Sequence, residues 1–423
     1  MTGATMAQQI LASHADRASV SPGEHVTVTP DWVLTHDLST YPVMNRLAEL
    51  GFDRVAHPDR HVVVFDHHVP SKSSLITDHL NEVEAWVREQ GVEHFFPAGS
   101  GICHNVLAEE GFSTPGALIL GADSHTTTHG AYGAFGTGIG HTDCADALGT
   151  GRLWLRVPET RRVVVEHTLP PHTSAKDLGL FLMGQLTAKG AIYEALEYHG
   201  EGVEALAMYE RRTLSNLAVE VGAMAGLVPP DETTAAAVED VARRAPDVVT
   251  PDVVTPDDDA EYVGEVRVDA RTVEPLLARP SRVDNVGTVA DHVGTRVDQV
   301  FVGTCNNSDY EDIAAFARLV EDETVASGTD LIVIPGSRRA LVRLNDAGLT
   351  NVIVEAGGMV GTPGCGPCFG AHGGILGEGD VCLGTMNRNF SGRMGEGEIY
   401  LGSPETAAAT AIYGEITDPR EVR

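Results

Sequence analysis

Positive charge is scarce in this chain. Its 423 residues hold 29 Lys and Arg against 60 Asp and Glu, a net charge of −31. Binding a phosphate backbone needs a basic footprint, so nucleic acid is not an expected partner. The acidic excess reads as a solvated surface of the kind that stays soluble in high salt. An uninterrupted apolar run of 18 residues is also missing, so no membrane span is expected. Residues 1–16 lack a basic segment followed by an apolar one, so no signal peptide is expected. Residues 1–5 read as a loose polar lead-in, with Met6 an alternative start. Six cysteines in a chain of this length do not make a disulfide framework. They point to the cytoplasm and to free or metal-bound thiols. The glycine-rich stretch 130–140 lacks both G-x-G-x-x-G and the phosphate-loop pattern, so its glycines read as tight turns supporting Asp123–His125.

Hydrophobic residues make up 42 % of the chain, enough for ordinary cores, and the length suits roughly three domains. Residues 1–168 contain strand-like apolar runs, 61–65 and 117–121, each followed by a polar loop. Residues 169–282 are mostly helical in pattern, at 178–186, 190–204 and 212–224. They include an acidic, proline-punctuated segment near 246–259, in which Pro-Asp-Val-Val-Thr occurs twice; it reads as an exposed linker. Residues 283–423 return to alternation, with β-rich runs at 299–303, 331–334 and 351–355. Ser308-Asp309-Tyr310-Glu311 has capping-box spacing, which predicts a helix start. Strand–helix alternation of this kind predicts parallel α/β layers.

The chemistry-bearing residues share a position. Asp66-His67, Asp123-Ser124-His125 and Cys305-Asn306-Asn307 each follow a strand-like run. Ligands of parallel sheets bind at the carboxyl ends of strands, so these loops are expected to converge. Cys365-Gly366-Pro367-Cys368 adds a C-x-x-C in a loop crowded with Gly and Pro. By itself the motif fits a redox dithiol, half a zinc site or an iron–sulfur ligand pair. A second C-x-x-C that would close a zinc site is missing, and three cysteines suit a cubane cluster with one iron left open. Buried core thiols are the plainer alternative. Cys103, Cys144 and Cys382 lie among small apolar residues and read as core filling. Of 18 histidines, His67, His104 and His125 stand out in Gly- or Asp-rich loops, with Asp66 and Asp123 placed to orient imidazoles. Arg388 and Arg393, in a chain poor in cations, suit bidentate carboxylate recognition; ordinary surface ion pairs are the alternative.

Together these pieces resemble the aconitase superfamily, and within it the large subunits of isopropylmalate isomerases. The matching motifs are Asp66-His67, Gly101-Ile102-Cys103-His104, Gly121-Ala122-Asp123-Ser124-His125-Thr126, Glu197-Tyr198-His199-Gly200, Val302-Gly303-Thr304-Cys305-Asn306-Asn307-Ser308, Cys365-Gly366-Pro367-Cys368 and the loop from Asn387 to Arg393. They run in the family's order over nearly the whole chain. The resemblance implies an α/β fold of three α/β/α subdomains, 1–168, 169–282 and 283–423, converging on a [4Fe–4S] cluster held by Cys305, Cys365 and Cys368. It implies that His67, oriented by Asp66, protonates a departing hydroxyl. It pairs His104 with Asp123 and His125 with Glu197, and gives His36, Ser124, Arg388 and Arg393 to substrate. Asn306 departs from the threonine usual at that place, which puts one hydrogen bond near the cluster in question. The swivelling domain of full-length aconitases is not expected here, so a small partner subunit is expected to carry it. The implied activity is a cytoplasmic hydro-lyase acting on a 2-hydroxy acid, 2-isopropylmalate in leucine biosynthesis being the leading substrate. Homoaconitate, citrate and methylmalate-type acids are alternatives. A non-catalytic iron-binding or redox-sensing protein and a zinc hydrolase are rivals of other classes.

Overall fold

The structure is a computed structural model that describes residues 3–244 and 253–422. Three sheets organise it. The first is wholly parallel, in the order His94–Phe96, His61–Val64, Trp32–His36, Leu118–Gly121, Phe135–Gly138. The second is also parallel, in the order Ala225–Leu227, Glu194–His199, Glu159–Glu166, Gly264–Asp269. The third has seven strands, Val286–Thr288, Leu276–Ala278, Glu398–Leu401, Val381–Gly384, Gln299–Val302, Asp330–Val333 and Met359–Val360. Its first two strands pair antiparallel and the other five run parallel. Central strands such as His61–Val64 and Gln299–Val302 are buried at every residue, which is why they read as continuous apolar runs without alternation. One hydrophobic core runs from the second sheet into the third, joining Val163, Leu178 and Leu214 to Phe301, Met386 and Leu401.

Some sequence expectations are corrected. The strand Glu159–Glu166 belongs to the second sheet, ahead of the expected boundary at 168. Leu276–Ala278 and its partner belong to the third, ahead of 282. Within 190–204 lies the strand Glu194–His199, and only the turn Glu201–Glu204 is helical. Residues 351–355 fall in the helix Leu349–Glu355; this helix lies between two parallel strands, and that crossover overrides the β propensity of Val352-Ile353-Val354. The helix Tyr310–Leu319 is capped by Asp309 rather than Ser308, with the Asp312 carboxylate accepting the Asp309 N–H at 3.0 Å. Residues 3–5 are not loose. Gly3 bridges Ala260, Ala4 N–H donates to Asp257, and Thr5 caps the helix Met6–His14. The first Pro-Asp-Val-Val-Thr unit lies outside the described residues.

The sheets are tied together at Asp309. Arg212 reaches it from the helix Met208–Leu217 of the middle region, its Nη1 lying 2.8 and 2.7 Å from the two carboxylate oxygens. Asn105 reaches it from the first region at 2.9 Å. The same helix sends Thr213 to the Asn306 carbonyl (2.6 Å). One helix face therefore clamps the loop that carries Cys305. Removing one partner of a buried ion pair leaves a charge without compensation. Asp309→Ala is expected to cost about 3–5 kcal/mol in denaturant unfolding. Glu311→Ala, which breaks an exposed pair with Arg343, is expected to cost about 0–1 kcal/mol.

Candidate active site

The carboxyl ends of the first and third sheets meet at a cavity of about 250 Å³. His36, Asp66, His67, His104, Asp123, Ser124, His125, Cys305, Cys365, Cys368, Arg388 and Arg393 all line it, and so do Leu38 and Phe369. The strand ends deliver these groups: His61–Val64 leads to Asp66 and Gln299–Val302 to Cys305, as the sequence predicts, and Trp32–His36 ends in His36. Gly136 and Gly138 support the Asp123–His125 turn by close approach. A Cβ on either would lie 2.2 Å from the Thr126 carbonyl oxygen or 2.8 Å from that of Asp123.

Three imidazoles are each held by a carboxylate. His67 Nδ1 lies 2.6 Å from Asp66 Oδ1, His104 Nε2 lies 2.8 Å from Asp123 Oδ1, and His125 Nε2 lies 2.8 Å from Glu220 Oε1. Burial opposes charge on His67, but Asp66, with Asp37 and Asp123 behind it, outweighs that and lifts its pKa to about 10. Burial would raise the Asp66 carboxyl, yet His67 holds it well below the usual range. Asp37 accepts the N–H groups of Asp66, His67 and His68, although burial lifts its own pKa to about 6. His36 stacks on His67 with ring centroids 4.1 Å apart, and burial drops it to about 3. Two adjacent imidazoles are thus set apart, one charged and one neutral.

The cysteines are met by amide and guanidinium donors. Asn216 Nδ2 and Asn387 Nδ2 lie 3.1 and 3.2 Å from Cys305 Sγ, and Arg393 Nη2 lies 3.4 Å from Cys368 Sγ. Thr304 adopts φ of +79°, a strained conformation for a β-branched residue. Its hydroxyl donates to Asn306 Oδ1 at 2.7 Å, so Asn306 braces the turn into Cys305. Desolvation pushes the Cys305 thiol up to about 12 and Cys365 well up. Thiolates at such a place need a bound cation. Three sulfurs with N–H donors around them fit an iron–sulfur group. Cys103 is buried in the core as expected but also lines the cavity, its N–H donating to Asp66 Oδ2 at 2.7 Å.

Glu197 is a correction. It is wholly buried away from the cavity, accepting the Met6 N–H at 3.0 Å, meeting His199 at 2.9 Å, and bonding the Tyr262 hydroxyl. It pins the N-terminal helix to the second sheet. Its expected place beside His125 belongs to Glu220, which also accepts from Arg388 Nε at 2.7 Å. Glu220 and Asn216 sit one turn apart, a spacing that was available in the sequence but carried no motif.

The profile of the Aconitase family (aconitate hydratase) matches residues 8–414. The chain belongs to the aconitase family. A Methanopyrus kandleri protein named 3-isopropylmalate dehydratase large subunit 1 is 47 % identical over 420 residues, 99 % of each chain. A Methanosarcina mazei protein named probable methanogen homoaconitase large subunit is 46 % identical, covering 93 % of this chain and 99 % of that one. Among solved structures, Thermococcus kodakaraensis aconitase X in its holo form matches with a TM-score of 0.50 at 12 % identity, over 90 % of this chain and 87 % of the other. That likeness concerns the fold. In this aconitase-family chain, Glu220→Gln is expected to lower turnover by roughly 10–100-fold, because His125 loses the carboxylate that orients it. Glu197→Gln is expected to lower the melting temperature while turnover per folded chain stays unchanged; equal turnover losses in the two variants would reverse the assignment.

Proposed function

We propose that this aconitase-family hydro-lyase is the large subunit of an enzyme that converts 2-isopropylmalate to 3-isopropylmalate by removing and re-adding water. One observation carries the reading: three cysteines, three imidazoles each held by a carboxylate, and two arginines face a single cavity. Cys305, Cys365 and Cys368 are the residues to hold a [4Fe–4S] cluster. When bound, that group supplies a Lewis acid at an iron without a thiolate. His67, charged through Asp66, gives its proton to the departing hydroxyl and takes one from water in the return direction. Arg393, whose Nε is buried without a partner among the described residues, and Arg388 suit the substrate's carboxylates. Ser124 and His36 lie within reach of the same ligand. The acid's other face needs a positioned base, and the relatives matched end to end are named large subunits. A small subunit carrying a swivel domain is the proposed source of that base. The Methanosarcina relative's name favours homoaconitate as a second reading of the substrate.

Cys305→Ser, Cys365→Ser and Cys368→Ser are each expected to lose iron and sulfide, whereas Cys382→Ser keeps both; cluster retention in Cys305→Ser refutes the ligand set. Activity is expected on isopropylmalate after co-expression with a small subunit, and little without one. A colourless, zinc-loaded preparation would contradict the cluster. The pH dependence follows from His67. Its protonated form is the acid, so turnover falls as pH rises through its pKa. Asp66→Asn removes the charge that raises that pKa. The alkaline limb of kcat is expected to move down by roughly 1–3 pH units, and an unmoved limb assigns the acid elsewhere.

A further inference from the structure

The chain has three lysines, Lys72, Lys176 and Lys189, and Lys176 is wholly buried. It stands in the first turn of the helix Ala175–Leu186. Its Nζ donates to the main-chain carbonyls of Thr385 at 3.0 Å and Met386 at 2.6 Å. Both flank groups that reach the cysteine centre. The Thr385 hydroxyl clasps the N–H and the carbonyl of Gly303, each at 3.0 Å, two residues before Cys305. Asn387 follows Met386 and donates to Cys305 Sγ.

A neutral donor can satisfy two carbonyls, and burying an ammonium is costly, so the charge calls for an anionic partner. The acidic groups around it are Cys305, Asp177, Glu220 and Asp312. Burial pushes the Asp177 and Asp312 carboxyls toward their neutral forms. Glu220 is already shared by His125 and Arg388. Cys305 is the group left to be compensated.

We propose that Lys176 is a positioning residue whose ammonium offsets the negative charge of the Cys305 thiolate and its iron–sulfur group, and thereby sets that group's reduction potential. This rests on the cluster reading above. A nearby cation favours the more reduced, more negative state. The full chain is reconstituted with iron and sulfide as wild type, Lys176→Gln, Lys176→Met and Lys176→Arg. Iron and sulfide content, visible absorption and the midpoint potential are read, with circular dichroism as the check on folding. Lys176→Gln, which keeps donors but not charge, is expected to shift the midpoint to more negative values, and Lys176→Arg to return it toward wild type. Iron loss from a folded Lys176→Gln chain also supports the charge. An unchanged or more positive midpoint with a full cluster overturns the proposal. So does failure of both neutral variants to fold, since Lys176 is then a structural bolt. A wild-type chain that takes up no iron overturns the cluster reading itself, and shows it before any variant is made.

Discussion

The Asp66 carboxylate is wholly buried, so every stabilising donor must come from the protein. It is met on one oxygen by His67 and on the other by the Cys103 N–H. Its main-chain carbonyl accepts the Cys365 N–H at 2.9 Å, and its main-chain N–H rests on Asp37. One residue therefore fixes the charge of His67, the start of the His104 helix and the loop of the paired cysteines. The cavity's remaining geometry is built outward from that point. A carboxylate so fully engaged has a well-defined place, and that place sets the distance between the imidazoles and the sulfurs.

Charge explains the rest of the arrangement. In a chain with net charge −31, the cations that matter are drawn inward. Arg212 clamps the Cys305 loop through Asp309, Arg388 rests on Glu220, Arg393 donates to Cys368, and Lys176 holds the segment before Asn387. Of these four, Arg388 and Arg393 line the cavity, where low dielectric strengthens each contact.

Much of this was legible in the sequence because the signals were local. Strand-like runs ending in Asp-His, Asp-Ser-His or Cys-Asn-Asn mark carboxyl ends of parallel strands, and the cysteine triad, His67, His104 and Asp123 come together as the motifs imply. What failed was partner choice across space. Glu197 sits in a strong motif within the strand Glu194–His199, yet its carboxylate points to the N-terminal helix. Glu220 lies in a short 3₁₀ turn, Ala218–Val221, without any local mark. Likewise the 351–355 run has β-branched residues but is needed as a crossover helix. Local pattern names which residues carry chemistry; packing decides which of them meet.

The most direct measurement is Mössbauer spectroscopy of the chain reconstituted with ⁵⁷Fe, with and without the hydroxy acid and the small subunit. With Cys305, Cys365 and Cys368 as its proposed ligands, a four-iron cluster would keep one iron free to change its coordination. Spectra in which one iron site in four shifts on adding substrate are expected. Four irons indifferent to substrate, or a protein that binds no iron, would contradict a cluster with an open position at Cys305, Cys365 and Cys368.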